Sequence, residues 1–259
     1  VAGKESLLHL MADTITHRGP DHGGYWCDVD QNIGLGHRRL SVIDLSPAGH
    51  QPMQSPSSRY VMVFNGEAYN HLLIRRALET RGQAPVWRGH SDTETLLAGF
   101  DAWGIEETVK RTIGMFAFTV WDRQTRTLTL ARDRLGEKPL YYGWQGQADE
   151  ATFMFASELK ALRVHPVFEN NINRDALSLE LRYGCIPAPY SIYEGIAKLM
   201  PGSLLTVSLE RREPRVWTYW SGAETAELGV ANIFSGTADQ AVDKLEVLLR
   251  DAVRQQMVA

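Results

Sequence analysis

The chain has 259 residues, enough for one large domain or for one domain and the start of another. Its 44% hydrophobic and 22% charged residues are ordinary for a globular protein, and a formal net charge of -4 gives no general attraction to nucleic acid or to an anionic membrane. Cys27 and Cys185 are the two cysteines, which excludes a disulfide scaffold, and no CxxC or clustered His/Cys spacing points to a metal site.

In chain order, residues 5–16 place Leu7, Leu8, Met11 and Ile15 on one helical face. A turn of His17-Arg18-Gly19-Pro20-Asp21 follows, and Cys27 lies in an expected strand. Residues 60–64 (Tyr-Val-Met-Val-Phe) read as a buried strand, and residues 70–81 as a helix ending at Gly82. Residues 93–103 read as a helix carrying Leu96, Leu97, Phe100 and Trp103. Then strands take over: 115–121, 127–131, 152–156 and 203–209. Strands in groups, with helices in groups between them, favour an α+β architecture over a doubly wound parallel sheet.

Residues 222–236 are small and polar and read as a linker. Thr237 and Gln240 form a capping box ahead of a helix with Val242, Leu245, Leu249 and Val253 at helical spacing. That helix reads as the opening element of a further domain. No apolar run approaches the roughly 18 residues needed to span a bilayer, and residues 1–6 do not read as a signal peptide. With so few cysteines, a reducing cytoplasmic location fits best.

Eight segments together resemble one family. They are residues 17–21, 36–44 (Gly-His-Arg-Arg-Leu-Ser-Val-Ile-Asp), 64–70 (Phe-Asn-Gly-Glu-Ala-Tyr-Asn), 90–94 (His-Ser-Asp-Thr-Glu), 114–118, 131–142, 157–162 and 198–202. In this order they resemble the glutaminase domain of glutamine-hydrolysing asparagine synthetases, a class II glutamine amidotransferase of the N-terminal-nucleophile hydrolase type. The resemblance spans residues 7–220. It implies a four-layer αββα sandwich of two antiparallel sheets. It also implies glutaminase residues 1–221 without their N-terminal segment, a linker at 222–236, and at 237–259 the first helix of a truncated synthetase domain.

The resemblance implies chemistry as well. The nucleophile would be an N-terminal cysteine whose own α-amine is the base, and it would attack the glutamine side-chain amide. Thiol and amine both exchange protons near neutrality, so no histidine base is needed. The first residue here is Val1, and Cys27 and Cys185 read as small buried apolar residues, so the chain as it stands is expected to be inactive. Asn65 and Gly66 would form the oxyanion hole; the competing reading is a hairpin turn, against which the helical residues that follow argue. Arg39 would grip the substrate carboxylate, or else pair with Asp44. Leu40, Ser41, Val42 and Ile43 would line the pocket. Glu67 and Asp92 would hold the substrate ammonium, although Asp92 also sits where a helix cap belongs. Arg18 could support the pocket, while residues 133–142 and 198–202 read as structural turns.

No ATP-binding loop of the Ser-Gly-Gly-x-Asp-Ser type is present. No metal and no cofactor are expected in this chain, and ATP with Mg²⁺ belongs to the synthetase half. L-glutamine and that synthetase domain are the expected partners. Oligomeric state is left open, a homodimer among the options. The alternative reading is a non-catalytic glutaminase-like regulatory or interaction domain.

Overall fold

A computed structural model describes residues 2–41, 44–147, 151–208 and 210–257. The strand read from the apolar run at 60–64 is longer than that run. It is β4 in chain order (Tyr60–Ala68), following a hairpin β1 (His22–Asp28) and β2 (Ile33–Arg39) and a short β3 (Met53–Gln54). Every residue from Tyr60 to Phe64 is buried, because both faces of β4 are covered. Tyr60, Met62 and Phe64 pack toward Leu97, Phe100 and the rest of the helical layer. Val61 and Val63, alternating with them, pack with Leu35, Ala117, Trp121 and Leu205 between two sheets.

The helices on the outer side are α2 (His71–Thr80), α3 (Asp92–Trp103) and α4 (Ile105–Arg111). Next come β5 (Gly114–Asp122) and β6 (Thr127–Arg132), then β7 (Tyr141–Gln145) and β8 (Thr152–Ala156). They are followed by α5 (Leu159–Arg163), α6 (Arg174–Tyr183), β9 (Ile196–Lys198), β10 (Ser203–Ser208) and β11 (Arg215–Thr218). The larger sheet runs β11-β10-β6-β5-β4-β3, antiparallel throughout. The facing layer is made of the β1–β2 hairpin and the sheet β8-β7-β9. Met11 of the first helix, α1 (Ala2–Asp13), packs with Met154, Leu162, Phe168 and Ile196 on its outer side. The result is helices, sheet, sheet, helices: the αββα sandwich.

The structure differs from the sequence reading at several places. The first helix ends at Asp13, and Ile15 lies beyond it, ahead of a 3₁₀ turn at Thr16–Arg18. The stretch 222–236, read as a linker, contains α7 (Gly222–Ala231), capped by Ser221, whose hydroxyl accepts from Glu224 N–H. Its Ala, Glu and Leu residues are good helix formers, so the connection is helical although it buries nothing. The capping box at Thr237 and Gln240 is formed and opens α8 (Ala238–Gln256), on which Val242, Leu245, Leu249 and Val253 are all exposed. Both cysteines, read as buried, are exposed. Trp26 turns into the core between the sheets, so Cys27 points to the opposite face, while Cys185 follows the left-handed Gly184 that ends α6. No helix among the described residues is long and apolar enough to cross a membrane.

Candidate active site

Asn65 and Gly66 sit inside β4, paired with Ala117 and Phe116 of β5, and not in a hairpin turn. Asn65 and Glu67 share the β4 face of Val63, the face turned toward the second sheet. Gly66 has φ +156°, and a Cβ there would lie 2.1 Å from the Met115 carbonyl oxygen, so only glycine fits. The Asn65 Nδ2 is shielded from solvent and has no hydrogen-bond partner among the described residues. Such a donor costs about 1–3 kcal/mol unless something accepts from it, which makes it a group waiting for an oxygen. Glu67 is half-buried, and its side chain makes no hydrogen bond or ion pair to another described residue.

Asp92 is buried at the start of α3. One carboxylate oxygen accepts from Ala68 N–H at 2.9 Å and the other from Thr93 N–H at 2.8 Å. Burial raises its pKa, against the pull of those two amides. The cap of α3 is Ser91, whose hydroxyl accepts from Thr93 N–H at 3.1 Å. Asp92 is therefore the first residue of the helix rather than its cap; one oxygen shares the Thr93 amide with Ser91, and the other ties it to the end of β4, one residue past Glu67.

Arg39 ends β2. Leu35, His37 and Arg39 share one face of that strand by alternation, and Leu35 packs in the core between the sheets. Arg38 points the other way, to the Gly19 carbonyl at 3.3 Å and to Asp13 at 3.3 Å. Arg39 is buried and donates to the Ser46 carbonyl at 3.2 Å and to the Asp44 carbonyl. It holds the backbone of this loop, with no ion pair to the Asp44 carboxylate. That carboxylate accepts instead from Ser46 N–H at 2.8 Å and His90 N–H at 2.9 Å. Burial pushes the Asp44 pKa up, but these hydrogen bonds outweigh it and hold it below the usual value. Asp44 thus ties the loop after Arg39 to the loop before Asp92.

Leu40 is exposed and Ser41 half-buried, with Ser41 N–H donating to Asp21 at 2.8 Å. Val42 and Ile43 lie outside the described residues. Arg18 is drawn away to Glu158 at 3.1 Å, beside His17 and Lys160. The structural reading of the later turns holds: buried Asp133 accepts from the backbone of Phe116, Leu135, Glu137 and Lys138, and Gly202 N–H donates to the Asp133 carbonyl at 2.8 Å.

Several supporting residues were not singled out from the sequence. Glu94 is buried, with Arg75 and Arg88 each 3.4 Å from it, and it accepts from the amides of Arg88 and Gly89. Arg75 also donates to the carbonyls of Gly89 and Ser91. Together they fix the loop that presents Asp92. His37 donates through Nε2 to the Phe64 carbonyl at 3.1 Å, and burial lowers its pKa to about 4. Among the described residues no group of three His, Cys, Asp or Glu could hold a metal ion. An open cleft of about 510 Å³ lined by Asp28, Arg59 and Arg123 contains none of these residues.

The profile of the glutamine amidotransferase domain family matches residues 2–220. This chain belongs to that family. The amidotransferase domain is similar to asparagine synthetase (glutamine-hydrolyzing) 3 of Bacillus subtilis, 34% identical over 259 residues, covering 99% of this chain and 39% of that protein. It is 37% identical over 206 residues to asparagine synthetase (glutamine-hydrolyzing) 1 of the same organism, covering 80% of this chain and 31% of that protein. The chain thus spans about two fifths or less of these relatives' length. Its fold is shared with glutamine phosphoribosylpyrophosphate amidotransferase of B. subtilis, at TM-score 0.60 and 16% identity over 84% of this chain and 47% of that one.

Proposed function

We propose that this domain hydrolyses glutamine to glutamate and ammonia and that the ammonia serves an ATP-dependent amidation by a synthetase domain of the same polypeptide. The observation that carries this reading is the solvent-shielded, unpartnered Asn65 amide beside Gly66. It lies on the strand face of Glu67, next to the Asp92 that bonds Ala68 and across from the strand bearing Arg39. Asn65 Nδ2 and Gly66 N–H would donate to the oxyanion formed when a cysteine thiolate attacks the side-chain carbonyl of glutamine. Arg39 retains donors beyond the two it spends on the loop and would take the substrate carboxylate. Glu67 and Asp92 would take the ammonium, so that a free amino acid is read by both its charges.

The thiolate would come from a cysteine at the start of the polypeptide, N-terminal to Val1, whose own amine accepts the thiol proton. Collapse of the tetrahedral adduct breaks the C–N bond and releases ammonia, and water then cleaves the γ-glutamyl thioester. Two points support the synthetase partner: the glutamine-hydrolyzing asparagine synthetases are the relatives found, and this chain spans only 39% of the length of one and 31% of another. ATP and Mg²⁺ would act in that other part. Residues 1–259 without the cysteine are proposed to be inactive.

The test is the intact mass of the full-length protein before and after incubation with 6-diazo-5-oxo-norleucine, alongside a glutamate-release assay. One stoichiometric adduct on an N-terminal cysteine, with turnover, is expected. A full-length protein with no cysteine to label and no turnover would sink the glutaminase reading in favour of a regulatory or interaction domain.

A further inference from the structure

We infer that Gln51 is a positioning residue for the oxyanion donor Asn65, acting through the peptide between Phe64 and Asn65; this rests on the glutaminase reading. The short strand β3 pairs with β4 only at Met62 and Val61. Beyond Met62, on the edge facing away from β5, that pairing ends three residues short of Asn65. Gln51, two residues before β3, continues it with a side chain. Its Oε1 accepts from Phe64 N–H at 2.6 Å and its Nε2 donates to the Phe64 carbonyl at 3.2 Å. One carboxamide therefore satisfies both backbone groups of a single strand residue, as a neighbouring strand would.

Three further observations make this arrangement more than a patch on a sheet edge. First, the Phe64 carbonyl accepts a second hydrogen bond, from His37 Nε2 at 3.1 Å. That carbonyl belongs to the peptide plane whose nitrogen is Asn65's, so the plane is held by two donors from two segments. Second, Gln51 Nε2 lies 3.4 Å from Thr93 Oγ1, on the residue after Asp92. The same side chain touches the strand that carries Asn65 and the helix that carries Asp92. Third, the backbone from which that side chain springs is held close to β1: a Cβ on Gly24 would lie 1.8 Å from the Gln51 main-chain carbonyl oxygen. A buried carboxamide is costly unless every group is matched, and an apolar residue of similar size would fill the space without that demand. What the carboxamide adds is a fixed orientation for the backbone that aims Asn65.

Asn65 would meet the oxyanion only in the transition state, so misaiming it should lower kcat and spare KM. The experiment uses the full-length protein with Gln51→Leu and Gln51→Glu, each alone and combined with Asn65→Ala, and measures steady-state glutamine hydrolysis. Gln51→Leu removes both bonds to Phe64 and is expected to lower kcat about 10²-fold, with KM within about threefold. Gln51→Glu keeps an acceptor for Phe64 N–H but loses the donor to the carbonyl, and should lower kcat less. With Asn65→Ala in place, adding Gln51→Leu should cost less than about threefold, because the donor it positions is already gone. Equal losses in both backgrounds, an unchanged kcat, or a rise in KM alone would overturn the inference and leave the glutaminase reading intact. So would both single variants failing to fold, since Gln51 would then serve the fold. Absence of turnover in the unmutated protein would overturn the glutaminase reading, and this inference with it.

Discussion

Asn65 and Arg39 serve different stages of the proposed reaction, and substitutions should separate them. Asn65→Ala removes a donor used by the oxyanion, and kcat should fall by about 10²–10³-fold, roughly 3–4 kcal/mol, with KM little changed. Steady-state kinetics on the full-length protein checks this. Arg39→Lys keeps the charge but loses the flat fork that matches a carboxylate and the two bonds to the loop carbonyls. It should raise KM for glutamine by tenfold or more. At this scale the sequence was informative about residue type and less so about partners. Arg38 and Arg39 are adjacent residues of one type, and it is the alternation of β2 that sends them to opposite faces. That Arg39 binds carbonyls rather than the Asp44 carboxylate, and that Ser91 rather than Asp92 caps α3, depends on which rotamers the packing allows. No spacing rule contains that information.

Elements were legible where their own residues made the case. The apolar runs of β4, β5, β6, β8 and β10 and the helical stripes of α2 and α3 all stand in the sequence. The hairpin β1–β2 is harder to read, since it carries Gly23, Gly24, Gly34 and Gly36 and ends in two arginines. Glycine weakens a strand locally, and here the pairing partner and the close passage of Gln51 past Gly24 account for it. The seven-residue α4 and three-residue β9 are too short to show a period at all. The segment joining α2 to α3 yields a prediction of its own. Glu94→Ala would leave Arg75 buried without its carboxylate and free the amides of Arg88 and Gly89. A loss of about 3–5 kcal/mol in urea unfolding is expected, as for other broken buried pairs. Glutamine affinity should fall with it, because that segment presents Asp92.

On the scale of the whole molecule, residues 222–257 add helices that bury almost nothing, whereas residues 2–221 hold all three cores. A chain ending at residue 221 should therefore keep its melting temperature within about 3 °C of the 259-residue chain by calorimetry. Stability should also depend on acidity through His37. Its pKa of about 4 in the fold lies below the ordinary value of 6.5. The unfolded chain takes up the proton first, so the stability His37 confers is full above pH 6.5 and is lost as pH falls toward 4, on the order of 3 kcal/mol in all. Asp92 acts with the opposite sign: its raised pKa means its contribution is full in acid and is lost as pH rises through that pKa. Urea midpoints between pH 4 and 7 should fall toward acid, and His37→Gln should flatten that slope.

The lone amide of Asn65 has a further consequence. A donor shut away from water with nothing to accept from it is a standing penalty on the resting protein, relieved only while an oxygen occupies the site. Readiness to react and resistance to unfolding thus pull against each other at one side chain. Asn65→Leu, similar in size but without the donor, should melt at a higher temperature than the unmutated protein while losing its turnover. Ligands that bring an oxygen to that point should narrow the gap in melting temperature between the two.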